Sequence, residues 1–192
     1  MTTIRPALTS AMILAALARA AAGGPAIGEP APALVVPLVD GNRFDLGALR
    51  GKVVIVNFWA TWCPPCRKEM PALDIFYTRF RARGVEVVGI SADRKRDRKA
   101  VLAAARAVHY PIALLADAGA SGFGEPRVLP VTYVVDRAGI VRAVLTPDAG
   151  SVTEIALERA VTPLLSVPLT SGDRRGDAPL RAPQRRGTFR GG

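Results

Sequence analysis

The chain holds two cysteines, Cys63 and Cys66, three positions apart in the segment Asn57-Phe58-Trp59-Ala60-Thr61-Trp62-Cys63-Pro64-Pro65-Cys66-Arg67-Lys68-Glu69-Met70-Pro71. They fall where an apolar run gives way to a helical pattern. One helical turn separates the sulfurs, so a small-ring disulfide can form and break there. With Cys63 at the N-cap and Cys66 at the third helical position, a Cys63 thiolate feels the positive end of the helix dipole and can accept the Cys66 N–H. Pro64 and Pro65 suit the first turn, where missing N–H groups cost little. They also remove two donors that would otherwise solvate a thiolate. Two rival uses are weaker. A structural bridge closing only two residues constrains the unfolded chain little. A metal site would need further ligands, and the chain offers one histidine and no other thiol. The pattern therefore points to reversible thiol–disulfide exchange, with no metal-ligating residues assigned.

The neighbours of the dithiol divide into docking, core and solvent roles. Trp62 is expected to form an apolar surface around Cys63 on which a partner docks, whereas Trp59 belongs to the core. Cys63, ahead of the helix, is expected to be exposed; Cys66, one turn in, is expected to be buried. Arg67 and Lys68 either lower a thiol pKa or point outward. His109 ends a helix far from the motif and is given no catalytic or metal role. Glu69 lies one turn beyond Cys66, and by spacing alone it is as readily a solvated helix residue as a partner of the dithiol.

These residues need a strand to carry them in and a helix to carry them out. Val53 to Trp59 is a continuous apolar run, the mark of a strand buried on both faces. A helix is predicted from Pro64 to about Arg83, kinked at Pro71 and ended by Gly84. Ahead of them, Ala33 to Val39 reads as an edge strand, Asp40 to Asn42 as a turn, and Phe44 to Leu46 as its returning partner. Val85 to Ile90 is a second buried strand. Asp93 or Asp97 caps a helix running to about Val108, and Ile112 to Ala116 is a short strand. Val131 to Val135 and Ile140 to Leu145 form a hairpin about Asp136 to Gly139. Ser151 and Glu154 form a capping box for a last helix to about Leu165. The order β-α-β-α-β-β-β-α behind an N-terminal β extension predicts an α/β sandwich with a mixed central sheet. There is no internal repeat.

Composition narrows the class further. Hydrophobic residues make up 49% of the 192 and charged residues 22%. This globular balance excludes a mainly disordered or collagen-like chain. The formal charge is +10, but it is concentrated at the ends. Residues 1–22 carry Arg5 and Arg19 and no acid, and residues 170–192 carry six arginines against two aspartates. The intervening 147 residues have a net charge of only +4. The aromatics cluster near the cysteines rather than among the basic residues, so no nucleic-acid partner is expected. The basic run Arg94 to Lys99 reads as the solvated start of a helix. Residues 1–22 read as a signal sequence: Arg5 supplies the positive region, Ala7 to Ala18 the apolar stretch, and small residues near Ala20 and Ala22 a cleavage site. The stretch is short for a membrane span. Residues 166–192, rich in Pro, Gly and Arg, read as a disordered basic tail that buries too little to offset its ordering entropy. Export implies an oxidising compartment, where a dithiol must be actively kept reduced.

At the block Asn57 to Pro71 the chain resembles the thioredoxin-like family, in its exported TlpA/ResA/DsbE-type branch. The resemblance spans roughly Ile27 to Leu165. It implies the thioredoxin-like α/β/α sandwich, with the N-terminal β extension of this branch. A second match is the stretch Leu129-Pro130-Val131-Thr132-Tyr133-Val134-Val135-Asp136-Arg137-Ala138-Gly139. In the family the proline before this strand has a cis peptide bond and faces the dithiol; Pro130 takes that place. A cis bond there turns backbone groups toward the site, so a partner chain can pair beside Leu129. The resemblance also assigns Glu69 to a glutamate that ResA-type proteins keep near the dithiol. Where thioredoxin has a buried Asp six residues before its first active cysteine, this chain has Asn57, which cannot relay a proton.

The resemblance implies the following site and partners. Cys63, Cys66, Glu69 and Pro130 do the chemistry, and Trp62, Pro64, Pro65 and Leu129 bind the substrate. The substrates are protein disulfides, with apocytochrome c or a copper-site assembly protein as clients. No cofactor is expected, since there is no flavin or nicotinamide motif. Electrons must then come from a membrane protein. The protein is expected in the periplasm as a monomer, touching the inner membrane only through an uncleaved N-terminus. Three rivals stand beside this reading. A disulfide oxidant would usually carry a large helical insertion, and no long insert lies between Ile90 and Pro130. A peroxiredoxin would need a peroxidatic cysteine beside Thr and Arg. A copper-binding assembly chaperone would use the same two cysteines, usually with wider spacing and a distal histidine.

Overall fold

The computed structural model describes residues 24–118, 121–149 and 152–166. The expected signal sequence, and the basic tail beyond Ser166, lie outside the described residues.

A short antiparallel hairpin comes first: β1 (Val35–Pro37) pairs with β2 (Arg43–Asp45). Its turn is held by the Asp40 carboxylate, which accepts the Asn42 N–H at 2.9 Å. The main sheet has five strands in the order β5-β4-β3-β6-β7. At its centre is β3 (Val53–Trp59), parallel to β4 (Val85–Ser91) and antiparallel to β6 (Val131–Val135). Strand β5 (Ile112–Leu114) extends the parallel side, and β7 (Val141–Leu145) the antiparallel side. All seven residues of β3 are buried, as its unbroken apolar run predicts.

Side chains on β3 alternate between two cores. Val53, Ile55 and Trp59 face a cluster with Leu73, Phe76, Val101, Leu157 and Val161, contributed by all three helices. Those helices are α1 (Pro64–Phe80), α2 (Arg98–Ala105) and α3 (Glu154–Leu165). Val54, Val56 and Phe58 face a second cluster with Leu34, Val36, Phe44, Phe123 and Tyr133. This second face is covered by the hairpin and by the segment around Phe123. The extended N-terminal segment is stitched to both sides of the sheet, by bridges from Leu38 to Ala113 and from Pro30 to Ile140.

Helix α1 runs unbroken through Pro71, which lies on its exposed side, and passes into a 3-10 turn (Arg81–Arg83). Gly84 then stops it with φ +86°, a left-handed conformation that favours glycine. Gly139, with φ +81°, does the same for the β6–β7 hairpin.

Three local expectations are corrected. The second helix stops at Ala105, short of Val108, and neither Asp93 nor Asp97 caps it with a side-chain hydrogen bond. Asp93 is instead buried, for a reason that emerges at the site. Ser151 lies outside the described residues, and the N-cap of α3 is Thr153, whose hydroxyl accepts the Ala156 N–H at 3.1 Å. Glu154 extends its carboxylate to Arg79 on α1 (3.4 Å) instead of back to the helix start.

Candidate active site

The end of β3 delivers the chain into a tight turn and then into α1. The Cys63 N–H donates to the Ala60 carbonyl at 3.2 Å, closing the turn. Cys63 is the N-cap of α1, and Pro64 and Pro65 occupy its first positions. The Cys66 N–H donates to the Cys63 sulfur at 3.3 Å. The two sulfurs are bonded, 2.00 Å apart, so the structure holds the oxidised couple. The redox pair is thus built into one helical turn, where the Cys66 N–H and the positive end of the helix dipole favour negative charge on the first sulfur.

Cys66 is buried as expected, but Cys63 is not exposed. Both are buried, Cys63 with 4% of its surface accessible and Cys66 with 2%. Cys63 is enclosed because its sulfur, as N-cap, turns in toward the helix end and joins the sheet–helix core. It still lines an open cleft of about 490 Å³ together with Trp62, Pro64, Pro65 and Leu129; Cys66 does not. Trp62 stands 66% exposed on the rim, while Trp59 is wholly buried.

The far wall of the cleft comes from the segment that leads into β6, with Glu125, Pro126, Arg127 and Leu129. Val131 pairs with Phe58 and Thr132 with Asn57, which sets the preceding Leu129–Pro130 peptide opposite the end of β3. That peptide bond is cis. Pro130 is buried, and Leu129 reaches the cleft. Beneath this wall the buried Asn57 amide donates to the Thr132 hydroxyl at 2.8 Å. A neutral hydrogen-bonded pair therefore fills the position between β3 and β6. Phe123 and Tyr133 meet edge-on with centroids 5.1 Å apart, anchoring the chain that leads into the cleft wall.

Glu69 is buried on the inner side of α1, not solvated. Its Oε1 accepts the Val152 N–H at 2.8 Å, tying α1 to the entrance of α3. Its Oε2 is buried with no hydrogen-bond partner among the described residues. Burial raises its pKa above the usual carboxylate value, and the Val152 hydrogen bond offsets this in part. Arg67 and Lys68 point outward. His109 is exposed, away from the cleft, with its ring nitrogen 2.9 Å from Asp74. No group of three or more potential metal-ligating side chains is assembled among the described residues. No described helix is long and apolar enough to cross a membrane.

One part of the site escaped the sequence reading. Asp93, two residues past β4, accepts hydrogen bonds from the Thr61 N–H (2.9 Å), the Thr61 hydroxyl (2.6 Å) and the Ser91 hydroxyl (2.7 Å). Its only sequence signal is the pairing of Ser91 and Asp93, which reads equally well as the approach to a helix cap.

With this geometry established, comparison with known proteins places the chain. The model of the AhpC/TSA family matches residues 27–144. The chain is 35% identical over 117 residues to the thiol-disulfide oxidoreductase ResA of Bacillus cereus, covering 60% of this chain and 66% of that protein, just under two thirds of its length. It is 33% identical to ResA of Bacillus subtilis over 127 residues, 66% of this chain and 69% of that protein. Among solved structures it matches a putative thiol:disulfide interchange protein DsbE from Chlorobium tepidum, with a TM-score of 0.59 and 26% identity over 73% of this chain and 98% of that one. The fold is thioredoxin-like.

Proposed function

We infer the function from the family: this chain belongs to the AhpC/TSA family, and its relatives are thiol-disulfide oxidoreductases of the ResA type. It is a thiol-disulfide oxidoreductase that reduces disulfides in partner proteins. The observation that carries this reading is that, of the two bonded cysteines, Cys63 alone lines the cleft.

The reaction begins with the reduced dithiol. The Cys63 thiolate attacks one sulfur of a client disulfide; that bond breaks, and the departing client thiolate takes a proton. The chain and the client are now joined through Cys63. Cys66 loses its proton and attacks the Cys63 sulfur. The mixed disulfide breaks, and the second client thiolate leaves and takes a proton. Two electrons and two protons have passed to the client, and the chain is left with the Cys63–Cys66 bridge. Glu69 is the proton acceptor for Cys66. Its support is its position one turn further along the buried side of α1, its raised pKa and its unpartnered Oε2. Trp62, Pro64, Pro65 and Leu129 receive the client backbone, with Pro130 setting the wall.

Residues 1–22 export the chain to the periplasm, where a membrane donor returns electrons to the dithiol. Apocytochrome c thiols or a copper-site assembly protein are its clients. Cys66→Ser tests the chemistry. It should accumulate client-linked mixed disulfides through Cys63, and Cys63→Ser should accumulate none. Equal or better trapping by Cys63→Ser would reverse the two roles.

A further inference from the structure

We propose that Asp93 is a positioning residue for the client cleft: its buried carboxylate fixes the turn at Thr61 and so holds Trp62 as a preformed docking wall beside Cys63. This rests on the reading of the cleft as a client site.

Asp93 is 2% exposed, and among the described residues no cation pairs with it. A buried carboxylate is costly unless hydrogen bonds compensate it. Here three donors do so, and two of them belong to Thr61. Ser91 completes the arrangement, since its oxygen also accepts the Asp93 N–H at 3.1 Å. A surface helix cap would need neither the burial nor the donors of a residue 32 positions away.

The donors also lie where they matter. Thr61 is tied through both backbone and side chain. Just before it, the Trp59 carbonyl accepts the Ala92 N–H at 2.8 Å; just after, Cys63 bonds back to Ala60. The residues on either side of Trp62 are therefore pinned, while its ring stands in solvent. An exposed indole on a fixed backbone presents apolar area to a partner with little ordering cost.

Four measurements test this on Thr61→Val, Thr61→Ser and Asp93→Asn: KM and kcat for insulin disulfide reduction, the rate with a small aromatic disulfide, and tryptophan anisotropy. Thr61→Val keeps the shape and loses the 2.6 Å bond. It should raise KM for insulin about tenfold, the lower end of the scale of one charge-assisted hydrogen bond, with kcat and the small-disulfide rate within about twofold. Its anisotropy should fall. Thr61→Ser keeps both bonds and should match the wild type. Asp93→Asn keeps the shape and loses the charge, and should fall between the two. Unchanged KM and anisotropy in Thr61→Val would overturn the proposal. So would a fall in kcat and small-disulfide rate at constant KM, because Asp93 would then act on the thiols. If the wild type reduces neither disulfide, the reductase reading fails, and the anisotropy comparison alone decides the positioning claim.

Discussion

Glu69 accepts the backbone N–H of Val152 across 83 positions of sequence, at 2.8 Å and away from solvent. One carboxylate thus joins the helix that carries both cysteines to the start of the last helix. It is also an ionisable group enclosed one turn from Cys66. The two roles separate on substitution, because Gln keeps the acceptor for Val152 and loses the titrating proton.

Glu69→Gln should slow resolution of the mixed disulfide by about 100-fold, the lower end of the usual scale of a lost general base. Quenched-flow decay of a preformed client adduct measures it. The pH dependence of stability should change as well. Burial raises the folded-state pKa above the usual value of 4.5, so the folded protein binds this proton more tightly than the unfolded chain. The stability it contributes is full below about 4.5 and is lost as pH rises through the raised value. Thermal unfolding from pH 4 to 8 should show this decline in the wild type and a smaller one in Glu69→Gln. An unchanged rate and an unchanged pH profile would leave Glu69 as a structural tie only.

Asn57→Asp should destabilise the fold by about 1–3 kcal/mol at pH 7, the cost of burying a polar group without its partner. The substitution removes the amide that donates to Thr132 and places an ionisable acid between β3 and β6. Enclosure raises the pKa of such an acid, so the penalty should grow from pH 5 to pH 7. Urea unfolding at the two pH values measures both effects. A neutral outcome would mean that the strand end rearranges to hydrate the carboxylate.

Gly89→Ala should also destabilise, by about 1–3 kcal/mol, from overpacking. A β-carbon at Gly89 would lie 2.6 Å from Ile112 Cδ1, 3.0 Å from Tyr110 Cε2 and 3.1 Å from Trp59 Nε1. All three neighbours are buried, so none has room to withdraw. The fall in melting temperature should be about 2–4 °C per kcal/mol for a chain of this size, and calorimetry would record it.

The strands and the dithiol turn were legible because their signals are local. The run Val53 to Trp59 declares a strand buried on both faces, and Pro64, Pro65 and Gly84 bracket the helix that follows. The burial of Cys63, Glu69 and Asp93 was not legible, because distant chain creates it. Glu69 meets Val152, Asp93 meets Thr61, and Cys63 is enclosed by the sheet–helix core. Thr153 displaced Ser151 as the helix cap for a related reason: both residues offer a hydroxyl at a plausible spacing, and only the path of the chain selects between them.

The direction of electron flow is the central claim. The most direct measurement is the reduction potential of the Cys63–Cys66 couple, taken by equilibration against thiol buffers with alkylation and mass analysis of the two cysteines. A reductant of protein disulfides should lie near thioredoxin, at about −270 mV. A value near −120 mV, at the strongly oxidising end of the scale, would mean that this couple delivers disulfides rather than removes them, and would contradict the account.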